Sequence, residues 1–196
     1  SSTGTKTQSP INALDKFGTG LAINREGTLA VAGAPDSGTG LIIPYVRSES
    51  GPLAEGNSVS TATIGDSVNG FGFSVGVGND YVAVGAPETQ SSAGAVFVYY
   101  VDSAGTFNKR PAIRPSDVTI ADQFGYSLTM SGNGRHLFVG APGGNKIYAY
   151  ALVDIASTSE RSFTVTTDGG ASYTLDFTPI NIQALNVTDE NGKVYL

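Results

Sequence analysis

Cysteine and tryptophan are missing from this chain of 196 residues, and methionine and histidine occur once each. Without cysteine there is no disulfide, no thiolate metal site and no catalytic thiol, though the compartment stays open. Charge is scarce as well: charged residues make up 14%, with 11 Lys and Arg against 17 Asp and Glu, for a net charge of −6. A nucleic-acid groove needs a basic face to displace counterions from phosphate, and this acidic balance argues against one. The one local basic run, Lys109-Arg110-Pro111-Ala112-Ile113-Arg114, reads as a solvated loop rather than a phosphate site. No apolar run approaches the roughly eighteen residues of a membrane span. The start, Ser1-Ser2-Thr3-Gly4, has neither an initiator Met nor a signal-peptide pattern, and the chain stops on an apparent strand at Leu196. Both ends therefore read as cuts in a longer polypeptide.

What the chain has in quantity is glycine, 26 residues of it, spaced between short β-branched and aromatic runs. Each glycine inside a helix would cost about 1 kcal/mol relative to alanine, so the pattern favours short strands joined by turns. Two markers repeat. Phe-Gly occurs at Phe17-Gly18, Phe71-Gly72 and Phe124-Gly125, at intervals of 54 and 53 residues. Gly-Ala-Pro follows each at Gly33-Ala34-Pro35, Gly85-Ala86-Pro87 and Gly140-Ala141-Pro142, at intervals of 52 and 55. Two markers holding one period indicate a repeat array.

Within each unit the order is strand, turn, strand into Gly-Ala-Pro, turn, strand. Phe17 to Ile23, Thr28 to Ala32 and Leu41 to Val46 serve the first unit, with Val59 to Ile64 as a fourth strand. Phe73 to Val77, Tyr81 to Val84 and Ala95 to Tyr100 serve the second; Tyr126 to Met130, His136 to Val139 and Ile147 to Leu152 serve the third. Four short strands per unit is the anatomy of a propeller blade. The expected fold is all-β: an extended lead-in over 1–10, three four-stranded blades over 11–152 (about 11–58, 59–112 and 113–152), a linker over 153–160 and a small, truncated β-meander over 161–196. The phenylalanine should sit between sheets, the glycines should let backbones approach closely, and the proline should end the ladder for want of an amide hydrogen.

Residues 11–152, with three copies of both markers, resemble FG-GAP repeats, the blades of the propeller in integrin α-subunit heads and in many bacterial and viral surface proteins. The closer likeness is to the calcium-free variety, with its Asp-x-Phe-Gly-x-Ser pattern. The calcium-binding variety carries an Asp-x-Asp-x-Asp-Gly loop; here those positions read Asn24-Arg25-Glu26-Gly27, Gly78-Asn79-Asp80 and Ser131-Gly132-Asn133-Gly134. Calcium takes about six to eight oxygens, several from carboxylates, so that metal site is not carried over. Asp15, Asp66 and Asp122 precede the Phe-Gly pairs; they read as turn-bracing acceptors, with a calcium ligand as the sharper alternative. Residues 161–196 are similar to the short β-modules of phage tail fibres and adhesins.

No catalytic set stands out. His136, the lone histidine, lies in a strand with no partner at usable spacing. No nucleophile elbow accompanies the serines, and nothing selects two carboxylates for glycosidase work. Gly18-Thr19-Gly20 and Gly38-Thr39-Gly40 lack a following helix and read as turns. Asn186-Val187-Thr188 fits a glycosylation acceptor and matters only in a secretory host. No cofactor or metal is expected. The expectation is a non-enzymatic fibre or surface protein, extracellular or on a virion, presenting a propeller to a protein or glycan of a cell surface. A ligand-free spacer or decoration subunit, and the accessory propeller of a secreted polysaccharide-active enzyme, stand as alternatives. Closed propellers have about four to eight blades, so three units imply further blades or other chains.

Overall fold

A computed structural model describes residues 15–47, 51–60 and 68–152 and, beyond them, the backbone of four short strands between 161 and 195. The expected lead-in over 1–10, the linker over 153–160, Asp66 and Asn186 lie outside the described residues.

The first sheet is built from β1 (Leu21–Ile23), β2 (Leu29–Ala34), β3 (Leu41–Arg47), β4 (Leu53–Glu55) and β5 (Val59–Ser60). The order β1-β2-β3-β4 is antiparallel throughout, and β5 returns to pair with the start of β3. The second sheet repeats it with β6 (Ser74–Val77), β7 (Tyr81–Ala86), β8 (Ala95–Val101) and β9 (Phe107–Lys109). Ile113 bridges to Val96 at the place where Val59 pairs Ile42 in the first sheet. By pairing, then, residues 59–60 go with the first sheet and Ile113 with the second. The third sheet has β10 (Ser127–Met130), β11 (His136–Ala141) and β12 (Lys146–Ala151), three strands among the described residues. Beyond it, β13 (Arg161–Thr166) pairs β14 (Ser172–Phe177), and β15 (Val187–Thr188) pairs β16 (Val194–Tyr195), in two separate small sheets.

The strands begin later than the sequence pattern predicts. β1, β6 and β10 start at Leu21, Ser74 and Ser127 rather than at or beside the marker aromatics. Gly18, Gly72 and Gly125 have φ of +90°, +95° and +89°, a conformation that bends the chain and admits glycine most readily. The second strand of each sheet ends at the alanine of Gly-Ala-Pro, where the proline has no amide hydrogen to continue the ladder.

The first strands stand side by side, β1 and β2 against β6, and β6 and β7 against β10, with β4 and β9 farther out. The result is a stack of blade-like sheets, all-β and propeller-like. One core fills the first seam, where Leu29, Val31 and Ile42 meet Val75, Val84, Phe97 and Tyr99. A second fills the next seam, where Tyr81, Ala83, Val96 and Val98 meet Leu137, Val139, Tyr148 and Tyr150. The middle sheet is covered on both sides. All six residues of β7 are buried, which is why the sequence there is continuously apolar.

Candidate functional site at the blade faces

The residues that repeat in the sequence meet at the seams. Phe71 and Phe124 are fully buried; Phe71 makes edge contacts with Phe97 and Tyr99, and Phe124 with Tyr148 and Tyr150. Such pairs add about 0.5–1.5 kcal/mol beyond their buried area. Phe17, in the first sheet, is only half-buried.

The marker glycines pair within each blade, and four of them also meet across a seam. Within a blade, the amides of Gly18, Gly72 and Gly125 donate to the carbonyls of Gly33, Gly85 and Gly140 at 2.8, 3.1 and 3.1 Å. Across the seam, the Gly72 carbonyl lies against the bare Cα of Gly33, and the Gly125 carbonyl against that of Gly85. A methyl group at Gly33 or Gly85 would fall on those oxygens. Ser74 completes the second seam: its Oγ donates to the Gly125 carbonyl at 2.7 Å. The matching position in the first blade is Gly20, where a Cβ would meet the Gly72 carbonyl at 2.6 Å. The Phe-Gly-x-Ser pattern contained this serine, but its role depends on the neighbouring blade and could not be read from one repeat.

The turns after Gly-Ala-Pro stitch each blade to its successor. Phe71 N donates to the Thr39 carbonyl at 3.3 Å, while Gln123 N and Phe124 N donate to Ser92 and Ala93 at 2.8 and 2.9 Å. To present those carbonyls, Gln90, Ser91 and Ser92 take φ of +53°, +57° and +63°, each an unfavourable conformation for a side-chain-bearing residue. Gly40 and Gly94 form parallel bridges with Phe71 and Phe124, and only a bare Cα fits there.

At the far end of the blades the hairpin tips converge. Oriented with its nitrogen toward acceptors, the Asn79 amide donates to Glu26 Oε2 and to the Gly132 carbonyl, both at 2.8 Å. Asn24 is spent on its own hairpin, accepting from Thr28 N and Leu29 N at 2.8 and 3.1 Å. Among the described residues no group of three His, Cys, Asp or Glu is placed to hold a metal.

Asp122 braces the third blade. Its carboxylate accepts from Thr119 N and Thr119 Oγ1, each at 3.0 Å, and from Lys146 Nζ at 3.3 Å. The Thr119 amide, first of all, holds this carboxyl below its usual range, with the Thr119 hydroxyl and Lys146 assisting. Burial would lower Lys146, but Asp122 and Asp117 outweigh it and keep the ammonium above its ordinary value. Burial, then Asp117, pushes the Tyr148 phenol up to about 12; its hydroxyl donates to Asp117 at 3.1 Å.

His136 is exposed at the first position of β11, its backbone amide donating to Ser131 Oγ at 2.9 Å. The basic run is less of a solvated loop than its composition predicts. Lys109 ends β9 with its Nζ 5.9 Å from the Phe97 ring centre, and the Arg110 guanidinium lies 5.5 Å from that of Tyr100. These cations cap rings.

At the two end faces the same parts face no other sheet among the described residues, though Ala32 and Ile43 on the first are buried. Register puts Leu21, Ala32 and Ile43 on the front of the first blade, away from the second. It puts Ser127, Gly140 and Ile147, with Thr129 and Phe138, on the rear of the third. Leu21 is 71% exposed, Ile23 57%, Phe138 48% and Ile147 73%.

No protein-family profile matches the chain, and no curated protein does. Among solved structures, the periplasmic gluconolactonase of Pseudomonas aeruginosa aligns with 83% of this chain at 13% identity and a TM-score of 0.43. The chain spans 39% of that protein's length. A likeness at this level implies neither substrate nor chemistry.

Proposed function

We propose that this chain is a non-enzymatic structural protein of an extracellular or virion surface, a run of FG-GAP-type blades that presents its loops to a protein or glycan. The observation that carries this reading is the use made of the repeated residues. Phe71, Phe124, Gly33, Gly72, Gly85, Gly125 and Ser74 are all engaged in joining one sheet to the next. A chain that repeats its joints rather than a reactive constellation is suited to building and display.

One observation favours a ligand-free spacer as a second reading. Loop side chains are spent on their own turns: Asp102 accepts from Ala104 N and Thr106 N at 3.0 and 2.9 Å, and Asn133 accepts from Ser131 Oγ and Arg135 N at 2.7 and 3.0 Å. Binding of the purified chain to arrayed glycans and to cell-surface protein, with and without a chelator, separates the two. Saturable binding that survives chelation is expected for display. Absence of binding on both leaves the spacer reading.

A further inference from the structure

We propose that the second blade carries a self-modification site, where Asn69 loses its side-chain amide to attack by the Gly70 main-chain nitrogen, assisted by Thr89. Asn-Gly occurs at 69–70, 133–134 and 191–192, and the first two pairs lie among the described residues. Glycine, with no side chain, gives such a cyclisation the least hindered amide. The two described pairs are built in opposite ways.

At 133 the groups that would react are occupied. Asn133 Oδ1 accepts from Ser131 Oγ and Arg135 N at 2.7 and 3.0 Å, which fixes the side chain. The Gly134 amide donates to the Ser131 carbonyl at 2.8 Å, so its proton is engaged.

At 69 the same groups are open. Asn69 is exposed, and among the described residues neither its side chain nor the Gly70 amide has a hydrogen-bond partner. Only the main chain of Asn69 is held. Thr89, fully buried, accepts from Asn69 N and donates to the Asn69 carbonyl through Oγ1, each at 3.3 Å. That carbonyl belongs to the peptide group whose nitrogen is Gly70 N. A hydroxyl on it stabilises the negative charge that spreads to the oxygen as the nitrogen gives up its proton.

The third blade shows why the Asn69 side chain stays outside. Counted from the markers, Asn69 matches Asp15 and Asp122, each 7% exposed, and Thr89 matches Gly144. A Cβ at Gly144 would meet Asp122 Cγ at 2.7 Å, so that aspartate folds over a bare glycine. In the second blade Thr89 brings a buried side chain to this place, and Asn69 is left in solvent.

Water is the one co-reactant. Gly70 N attacks Asn69 Cγ, the Cγ–Nδ2 bond breaks, and ammonia leaves with the proton that Gly70 gave up. Water then opens the cyclic imide. Opening at Cγ gives aspartate, the residue of the other two repeats; opening at the main-chain carbonyl carbon gives isoaspartate. The latter lengthens the main chain just ahead of Phe71, whose amide bonds the Thr39 carbonyl at 3.3 Å across the first seam.

Peptide mapping by mass spectrometry, on the 196-residue chain held at mildly alkaline pH, reads conversion at each asparagine. Residue 69 is expected to convert about tenfold faster than 133, whose hydrogen bonds must break first. In urea the two rates should converge, because only the shared dipeptide then acts. Thr89→Val removes the hydroxyl and should slow residue 69 about fivefold, the worth of one hydrogen bond. Thr89→Ser keeps the hydroxyl and should keep the rate, and circular dichroism checks that both variants fold. Should Thr89→Val not fold, the serine variant and the ratio of the two sites decide. A folded chain unconverted at 69, or converting as fast at 133, overturns the proposal. So does a contrast that persists in urea, a folded Thr89→Val chain reacting at the wild-type rate, or a folded Thr89→Ser chain that is slowed.

Discussion

Whether residue 33 or 85 carries a methyl group decides how closely two blades can approach. Both glycines sit in ordinary extended backbone, so conformational freedom is not their use; space is. Gly33→Ala and Gly85→Ala each press a carbon onto a main-chain carbonyl that cannot swing aside, and such overpacking costs about 1–3 kcal/mol, sometimes more. Gly140→Ala, at the equivalent place on the open face, meets only the Ser127 hydroxyl, which can rotate. Its cost is expected to stay within about 0.5 kcal/mol. Urea midpoints of the three variants check the contrast, and equal losses would contradict it. The markers were plain in the sequence because spacing alone reveals them. That Gly33 faces Gly72, a residue of the following unit, was not, since nothing local to either says which blade lies opposite.

At the level of the strand and turn, periodicity exposed the long elements and missed those whose reason is distant. β7 and β8 read directly from their β-branched and aromatic runs. β9 is Phe-Asn-Lys, three residues with no pattern of their own; it exists because β8 offers an edge and Phe97 and Tyr100 offer rings to the following cations. The left-handed run Gln90–Ser92 contains no glycine and gave no local sign, because the carbonyls it presents serve the lead-in of the next blade. Asp122 was readable as a turn-bracing acceptor through its bond to Thr119, three residues away, but not through Lys146, twenty-four away. Its depressed pKa has a consequence for acid stability. The unfolded chain binds this proton near pH 3.9 and the folded chain only at lower pH. The stabilisation is thus complete above the unfolded value and fades as pH falls through the folded one. Asp122→Asn should lower stability at neutral pH and flatten its decline below about pH 4. Urea unfolding at a series of pH values reads this, and an acid limb as steep as wild type would count against the brace.

Taken whole, the molecule is stiffest in the middle. Among the described residues the second sheet is flanked by a sheet on both sides and the first and third on one; Leu21, Ile23, Phe138 and Ile147 are exposed, whereas Ala32 and Ile43 on the front of the first sheet are buried. Local opening should follow that gradient. Amide hydrogen exchange is expected to be slowest along β7 and β8 and faster in β1, β4 and β12. A uniform profile, or one slowest in the third sheet, would mean that the sheets do not open separately.

The joint described at Gly33 and Gly72, and again at Gly85 and Gly125, consists largely of peptide groups. A junction of that kind is indifferent to which residues surround it, provided the small ones stay in place. Individual units could then be exchanged, duplicated or diversified at their loops without redesigning the hinge between them. Chimaeras that trade one entire sheet for another are the natural use of such modular carpentry.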